Sequence, residues 1–188
     1  MSMKWLIYVF LIFNLSSCIE MKQSEYNQKI DQSISELNLS KEKLSYKIFD
    51  SIPLVISEIN NLKSNIRTFL KNDTLPLDIA LKIDEINQID KALQNIEANK
   101  TITLNDINAV IQNLKNLKTD IENGSGNRGK YQENIKVENS KQKFLVDAVE
   151  NYLNDCTNSI QTFDNLKVDL FSFSNDLEMK NKEQNLIP

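Results

Sequence analysis

The sequence predicts an all-α protein: an elongated, coiled-coil-like bundle of four to five amphipathic helices that ends in a long C-terminal helical region. Three observations predict this fold. Apolar residues recur at steps of three, four or seven along almost the whole chain, which places them on one face of a helix. The 188 residues include only three glycines and three prolines, too few for the turns of a β-sandwich or barrel. The mean spacing favours the left-handed packing of helical bundles.

Residues 1–17 have the pattern of a bacterial export signal. Lys4 provides a positive start, and the apolar run from Trp5 to Phe13 follows it. This run is too short to span a bilayer, which requires about 20 apolar residues. After it come a branched apolar residue, two small residues and a cysteine: Leu15, Ser16, Ser17 and Cys18.

That tetrapeptide resembles the lipobox of bacterial lipoproteins. The resemblance implies that the Cys18 thiol carries lipid and that the chain is cut just before it. The alternative is a plain secretory signal in which the cysteine stands by chance. Two or three acyl chains hold a protein stably on a membrane. We therefore expect a lipid-anchored protein outside the cytoplasm, on the periplasmic face or at the cell surface.

Four apolar stripes predict that residues 18–123 form a helical N-terminal part. The stripes are Ile30, Ile34, Leu37, Leu44 and Ile48; Val55, Ile59, Leu62, Ile66 and Phe69; Ile79, Ile83, Ile86, Leu93 and Ile96; and Ile107, Val110, Leu114, Leu117 and Ile121. Pro53 separates the first two stripes or bends one long helix, because proline breaks a helix interior but fits its first turn. Residues 71–76 indicate a turn. Thr103 and Asp106 match a capping box, which predicts the start of a separate fourth helix.

All three glycines lie in the segment 124–130, which we interpret as a flexible linker between helices. The segment matches the glycine and lysine spacing of a phosphate-binding loop, but Tyr131 stands where a Ser or Thr should bind magnesium. Such a loop also follows a β-strand, whereas residues 117–123 have helical spacing. We therefore expect no nucleotide binding here.

Residues 131–188 are predicted to form the long C-terminal helical region, with a polar tail that frays after Lys180. Its apolar stripe is the longest in the chain: Leu145, Val149, Tyr152, Cys156, Ile160, Phe163, Leu166, Leu170, Phe173 and Leu177. A helix from Tyr131 to Lys180 would be about 75 Å long, which fits a continuous coiled coil or a hairpin. One hypothesis is that this stripe opens beside the glycine segment to receive a partner helix. The alternative is a permanently buried core.

The thiol and the aromatic side chains of this region also allow two interpretations. Cys156 lies within the stripe and is expected to be a buried thiol that packs as a small apolar group; the alternative is an intermolecular disulfide. Phe163 and Phe173 are expected in the core. Phe144 and Phe171 lie at the flank of the stripe. They either thicken the core or form an exposed face for a partner helix or a membrane interface.

Composition argues against several classes of function. The chain has no histidine, which removes the commonest general base and the commonest zinc ligand. The carboxylates Asp84, Glu85, Asp90 and Glu97 have the spacing of a solvated helix face rather than of an acid/base pair. We expect no catalytic residue, no metal site, no cofactor and no small-molecule substrate. The net charge of −4 argues against nucleic acid as a partner and against broad attraction to an anionic membrane.

The lipobox, the bias toward Asn, Lys, Ile and Leu, and the continuous helical periodicity resemble lipoproteins of Borrelia-type spirochaetes. Within that group the length and layout are similar to the haemolysin (holin) accessory family BlyB. This resemblance implies a non-enzymatic protein that supports a small membrane-active haemolysin or holin in a phage-type lysis cassette. The alternative is a surface lipoprotein that binds a host ligand, such as a complement regulator or a matrix protein.

Overall fold

The computed structural model describes the backbone of residues 3–70 and 74–184, and side chains from Met21 to Glu183 outside 71–73. Within these ranges the chain is all-α, as predicted, and contains no strand. The helices are α1 (Met3–Lys43), α2 (Lys47–Asp50), α3 (Ile52–Leu70), α4 (Leu77–Asn123) and α5 (Tyr131–Gln184), with a 3-10 turn at Arg128–Lys130.

The chain forms two compact units, each built from segments that are distant in the sequence. Unit 1 contains Met1–Glu42 and Thr103–Ala148, and unit 2 contains Lys43–Ile102 and Val149–Pro188. Helices α4 and α5 contribute residues to both units. The division between the units therefore does not fall at the glycine-rich segment, although that segment does separate α4 from α5.

Unit 1 is a three-helix bundle whose directions follow from its side-chain contacts. Asp31 of α1 pairs with Lys118 of α4 at 2.6 Å, and Lys41 of α1 donates to Asn108 of α4. A later residue of α1 therefore contacts an earlier residue of α4. The two helices are antiparallel. Helix α5 runs parallel to α1, because Ser33 lies opposite Asn139 and Glu36 lies opposite Gln142.

The buried face of α1 contains two serines among its apolar residues. Ser33 lies between Ile30 and Leu37 along the helix, and Ser40 follows Leu37 by one turn. The Ser33 hydroxyl donates to the Lys29 carbonyl oxygen and lies 3.0 Å from Asn139 Oδ1. Buried polar groups need partners of this kind because leaving them unpaired in the core costs free energy.

Unit 2 repeats the same arrangement with α3 in place of α1. Glu58 lies near Lys167, and the Asn181 amide donates to the Phe69 carbonyl oxygen at 2.7 Å, so α3 and α5 are parallel. Helix α4 is antiparallel to α5, because Lys82 near its start pairs with Asp169. The largest fully buried side chains of this unit include Phe49 and Phe163.

Of the two interpretations at Pro53, the structure shows separate helices instead of one bent helix, although α1 ends earlier than its stripe through Ile48 predicts. Helix α1 ends at Lys43, the one-turn helix α2 follows, and α3 begins at Ile52. Pro53 therefore lies in the first turn of α3, where its missing N–H would have no intrahelical acceptor. Of the predicted turn at 71–76, residues 71–73 lie outside the described residues, and 74–76 precede α4 without helical structure.

The prediction of a separate fourth helix starting at Thr103 is wrong. Helix α4 is continuous from Leu77 to Asn123. Thr103 is 6% exposed, so it occupies a buried seam position between Ile96 and Ile107 instead of capping a helix end. The tail also differs from its prediction, because α5 continues past Lys180 to Gln184 and Asn181 bonds to α3.

The glycine-rich segment is a hydrogen-bonded turn instead of an open linker. Gly124 has a φ of 62°, the left-handed conformation that ends many helices. The amide of Gly124 donates to Ile121 and that of Ser125 to Asp120, which together satisfy two free carbonyls at the end of α4. The Tyr131 hydroxyl lies within hydrogen-bond distance of the carbonyl oxygens of Asp120 and Ser125. A helix, not a strand, precedes the turn, as the sequence predicted.

Candidate partner-binding surface

The four lipobox residues lie within the helical backbone of α1. Leu15, Ser16, Ser17 and Cys18 belong to the part of α1 whose side chains are outside the described residues, so lipidation stays a prediction. Among the described residues, no helix combines the length and the apolar composition that a membrane span requires.

The long stripe of α5 lines the core of the two units. Every seventh residue of this stripe is fully buried or nearly so: Val149, Cys156, Phe163, Leu170 and Leu177. The residues between them, such as Leu166 and Phe173, are half-buried. In the folded protein this stripe is buried, as the core interpretation expected; its opening to receive a partner stays a prediction.

The flank of α5, in contrast, carries exposed apolar side chains. In unit 1, Phe144 is 73% exposed and Val137 is 48% exposed. In unit 2, Val168 and Phe171 are exposed as well. Phe144 does not thicken the core, because it is 73% exposed, and it agrees with the other interpretation, an exposed apolar face. Phe171 is 36% exposed, so it is partly covered by the fold and lies at the edge of the core.

Phe144 stands at the edge of a groove between α4 and α5 of unit 1. The groove encloses about 530 Å³ and is lined mainly by apolar atoms. Val110 of α4 and Leu145 of α5 are each about 5% exposed and form its floor. Asp106 on one wall and Lys141 on the other place opposite charges at the rim. We call this the Phe144 groove. An apolar floor with a polar rim is the usual composition of a helix-binding groove.

Two further grooves of unit 1 border α1: one lies between α1 and α5, and the other between α1 and the C-terminal end of α4. One is lined by three lysines together with Tyr26: Lys29, Lys136 and Lys143. The other lies beside the α4–α5 turn and is lined by Lys22, Arg128 and, again, Tyr26. Because they share Tyr26, they adjoin, and we call them together the basic grooves. Glu122 is the one carboxylate that lines either of them.

The sequence analysis missed the basic grooves because it averaged charge over the whole chain. Unit 1 has 11 Lys and Arg against 11 Asp and Glu, whereas unit 2 has 11 against 15. The acidic excess thus belongs to unit 2. The cations of the grooves come from α1 on one side and from the 3-10 turn and α5 on the other, about 100 positions apart in the sequence or more, so no local motif could have revealed them.

The acidic segment of α4 contains a structural ion pair. Asp90 is 7% exposed, accepts from Lys63 Nζ at 2.9 Å and from the Gln94 amide at 2.7 Å. A buried carboxylate needs such partners because an unpaired buried charge is costly. Among the described residues, no three His, Cys, Asp or Glu side chains are grouped closely enough to hold a metal ion.

Cys156 is a buried thiol, as predicted. Its side chain is 0% exposed, and its Sγ lies 3.8 Å from the Ile48 carbonyl oxygen. Burial raises the pKa of the Cys156 thiol to about 11, because removal from water disfavours the thiolate. An intermolecular disulfide would require this part of unit 2 to open.

We expect Cys156 of the folded protein to resist alkylation at pH 8 and to react completely in denaturant. Attack requires an accessible thiolate, and here the thiol is both shielded and held neutral. Mass spectrometry after brief iodoacetamide treatment, with and without guanidinium, measures this. Equal labelling in both conditions would contradict the buried position. Since the folded pKa exceeds the unfolded one, the associated stability is complete below about pH 9 and is lost as the pH rises toward about 11.

Comparison of the chain with protein-family models, curated proteins and solved structures found no match of any of the three kinds.

Proposed function

We propose that the chain is a non-enzymatic, lipid-anchored helical protein that acts by binding a protein partner. The observation that carries the proposal is the Phe144 groove, where a large ring is 73% exposed beside an apolar floor. Exposing an aromatic ring of this size leaves apolar area in water, and covering it with a partner stabilises the complex by about 25 cal/mol per Å². The apolar stripes of the helices are buried in the cores of the two units.

The partner we propose is a helix of a small membrane-active haemolysin or holin, for which this protein serves as an accessory factor. A groove between two helices accepts the apolar face of a third one. The lipobox supports a location at the membrane surface, where such a partner resides. The resemblance of the chain to haemolysin accessory lipoproteins supports the same assignment.

A photocrosslinker at the groove tests this proposal. We expect benzoylphenylalanine in place of Phe144 to form an adduct with a small membrane protein in native membranes, identified by mass spectrometry. Leu54 is the matched control, because it is also 73% exposed but lies on α3 in unit 2. The same label at Leu54 should give no such adduct.

Three outcomes of this experiment contradict the proposal. Equal adducts from both positions would indicate non-specific proximity in the membrane. An adduct from Phe144 with a host serum or matrix protein, on intact cells exposed to host fluid, would favour the host-ligand role. The absence of any adduct at Phe144, while the protein is present and anchored, would remove the groove as the binding surface.

The anchor has its own test. We expect Cys18→Ser to leave an unprocessed full-length precursor, because lipid attachment to this cysteine precedes cleavage in lipoproteins with such a lipobox. Metabolic labelling with a fatty acid should mark the wild type alone. Ser17→Ala, which keeps a small residue before the cysteine, is the control and should still be labelled. Labelling of the Cys18→Ser protein at wild-type level would contradict the anchor.

A further inference from the structure

The basic grooves are a concentration of positive charge in a chain that is acidic as a whole. Two lysines on α5, Lys136 and Lys143, are seven residues apart, which is about 10 Å along a helix, and both line the same groove. Neither has an ion-pair partner among the described residues. Lys29 on α1 faces them across the groove and is paired with Glu25 at 2.6 Å. This pairing lowers the pKa of Glu25.

The second groove extends the positive charge toward the N-terminal end of α1. Lys22 lies seven residues before Lys29, and therefore on the same side of α1. Arg128 is held in place by its hydrogen bond to the Gly124 carbonyl oxygen at 3.0 Å. This bond leaves the other guanidinium nitrogens available for a ligand. Among the described lining residues Glu122 is the one carboxylate, and it lies 3.4 Å from the Asn27 amide; Glu25 adds a second negative charge beside the lining through its pair with Lys29.

Hydrogen-bond donors accompany these cations. Gln132 and Asn139 line the groove of Lys136 and Lys143, which encloses about 400 Å³, and carry amide N–H donors. The Ser140 hydroxyl, also in this lining, already donates to the Lys136 carbonyl oxygen at 2.9 Å. Tyr26 lies between the two grooves. Ammonium and amide groups along unit 1 match a row of phosphate groups, since charge-assisted hydrogen bonds to phosphate are strong.

We propose that the basic grooves form the surface on which unit 1 rests against the anionic phospholipid headgroups of the membrane. This inference rests on the proposed anchoring at Cys18. That residue precedes Lys22 by four positions on the same helix, about 6 Å along the axis, so an anchored chain holds the groove of Lys22 and Arg128 near the headgroups. The groove of Lys136 and Lys143 lies further along α1 and reaches the headgroups when α1 lies along the membrane surface. Lys and Arg side chains near an anionic leaflet are attracted to its negative surface potential, and their contributions add.

The position of the Phe144 groove agrees with this arrangement. Lys136 and Lys143 lie on the side of α5 that meets α1, whereas Phe144 and Lys141 line the groove that α5 forms with α4. Unit 1 can therefore contact headgroups along one side while the Phe144 groove stays available to a partner.

The test uses lipidated wild-type protein added to vesicles of neutral phosphatidylcholine, or of phosphatidylcholine with about one third phosphatidylglycerol. A water-soluble acetylating reagent then labels exposed lysines, which mass spectrometry quantifies. We expect labelling of Lys136 and Lys143 to fall about threefold or more on the anionic vesicles, and to recover in about 0.5 M salt because exposed charges are then screened. Lys91 and Lys115, which are also exposed, should be labelled equally on both vesicles.

A pair of charge-reversal variants complements the labelling. In these variants the readout is the acetylation of Lys22 and Lys29. The double variant Lys136→Glu, Lys143→Glu should lose the salt-dependent protection of these two lysines on anionic vesicles. The matched control, Lys91→Glu with Lys115→Glu, changes the net charge by the same amount and should keep it. All four positions are exposed, so both proteins should fold, which circular dichroism verifies.

The outcomes separate this inference from the anchor. Failure of the protein to float with neutral vesicles would refute anchoring, because neutral vesicles have no charge to attract the basic grooves. Normal flotation with equal labelling of Lys136 and Lys143 on both vesicles would refute the headgroup surface alone. Inorganic phosphate can also be added to the protein on neutral vesicles. If it protected Lys136 and Lys143 from acetylation as strongly as anionic vesicles do, the grooves would be a site for small anions, which would overturn the membrane assignment.

Discussion

Phe163→Ala is expected to lower the free energy of unfolding by about 3–5 kcal/mol, the cost of deleting a buried aromatic ring and leaving a cavity. Phe163 is 0% exposed in the core of unit 2, and the Lys167 ammonium lies 5.6 Å from its ring centroid. Both the packing and this cation–π contact are lost in the variant. For a chain of this length, each kcal/mol lowers the melting temperature by about 2–4 °C. Thermal and denaturant unfolding of the mature protein measure the change.

Phe171→Ala is the matched control, because it removes the same ring from the same helix. Phe171 is 36% exposed, so its loss should cost less than about half of the buried substitution. Phe163→Leu refills most of the space and should cost less than about 1.5 kcal/mol. Equal destabilisation by Phe163→Ala and Phe171→Ala would mean that the two faces of α5 are not buried as described.

The sequence predicted the helical class and most of the core because apolar periodicity is a local signal. On α5 the fully buried residues are spaced by seven from Val149 to Leu177, a pattern that any window of the sequence contains. An interruption near Pro53 was predictable for the same reason, since proline acts on its own helix, but the sequence did not decide between two helices and one bent helix. The glycine-rich turn was placed correctly as well, although its internal hydrogen bonds were not foreseen.

What the sequence did not predict depends on contacts between distant residues. Ser33, Ser40 and Gln142 are buried although they are polar, and they interrupt the apolar stripes that a periodicity search follows. Tyr131 and Ile135 were missed as core residues because Gln142 lies between them and the rest of the α5 stripe. The Gln142 amide is satisfied by Glu36, 106 positions away, at 2.6 Å. Only the folded chain reveals such a partner.

The candidate surfaces were predictable to different degrees. Phe144 was recognised as a flanking aromatic, but exposure and core thickening could not be distinguished without the position of α4. The basic grooves had no local signature at all, since Lys29 and Lys136 become neighbours only when α1 and α5 pack side by side. Net charge, which argued against a membrane surface, describes the whole chain and not one side of unit 1.

Asn105→Pro is expected to destabilise the protein by about 3 kcal/mol or more, because residue 105 lies in the interior of a continuous α4. Proline there removes the hydrogen bond from residue 105 to the carbonyl oxygen of Thr101 and places its ring against that carbonyl. A helix that started at a Thr103 cap would behave differently. Residue 105 would then lie in the first turn, where the amide has no intrahelical acceptor and proline is tolerated.

Asn105→Ala is the control that separates backbone from side-chain effects. Asn105 is exposed, so alanine removes no core contact, and its higher helix propensity should stabilise α4 by up to about 0.7 kcal/mol. Urea unfolding followed by far-UV circular dichroism compares the two variants. If the proline variant were as stable as the alanine variant, α4 would have to begin anew near Thr103. A large loss confined to the proline variant is the result that a single helix from Leu77 to Asn123 requires.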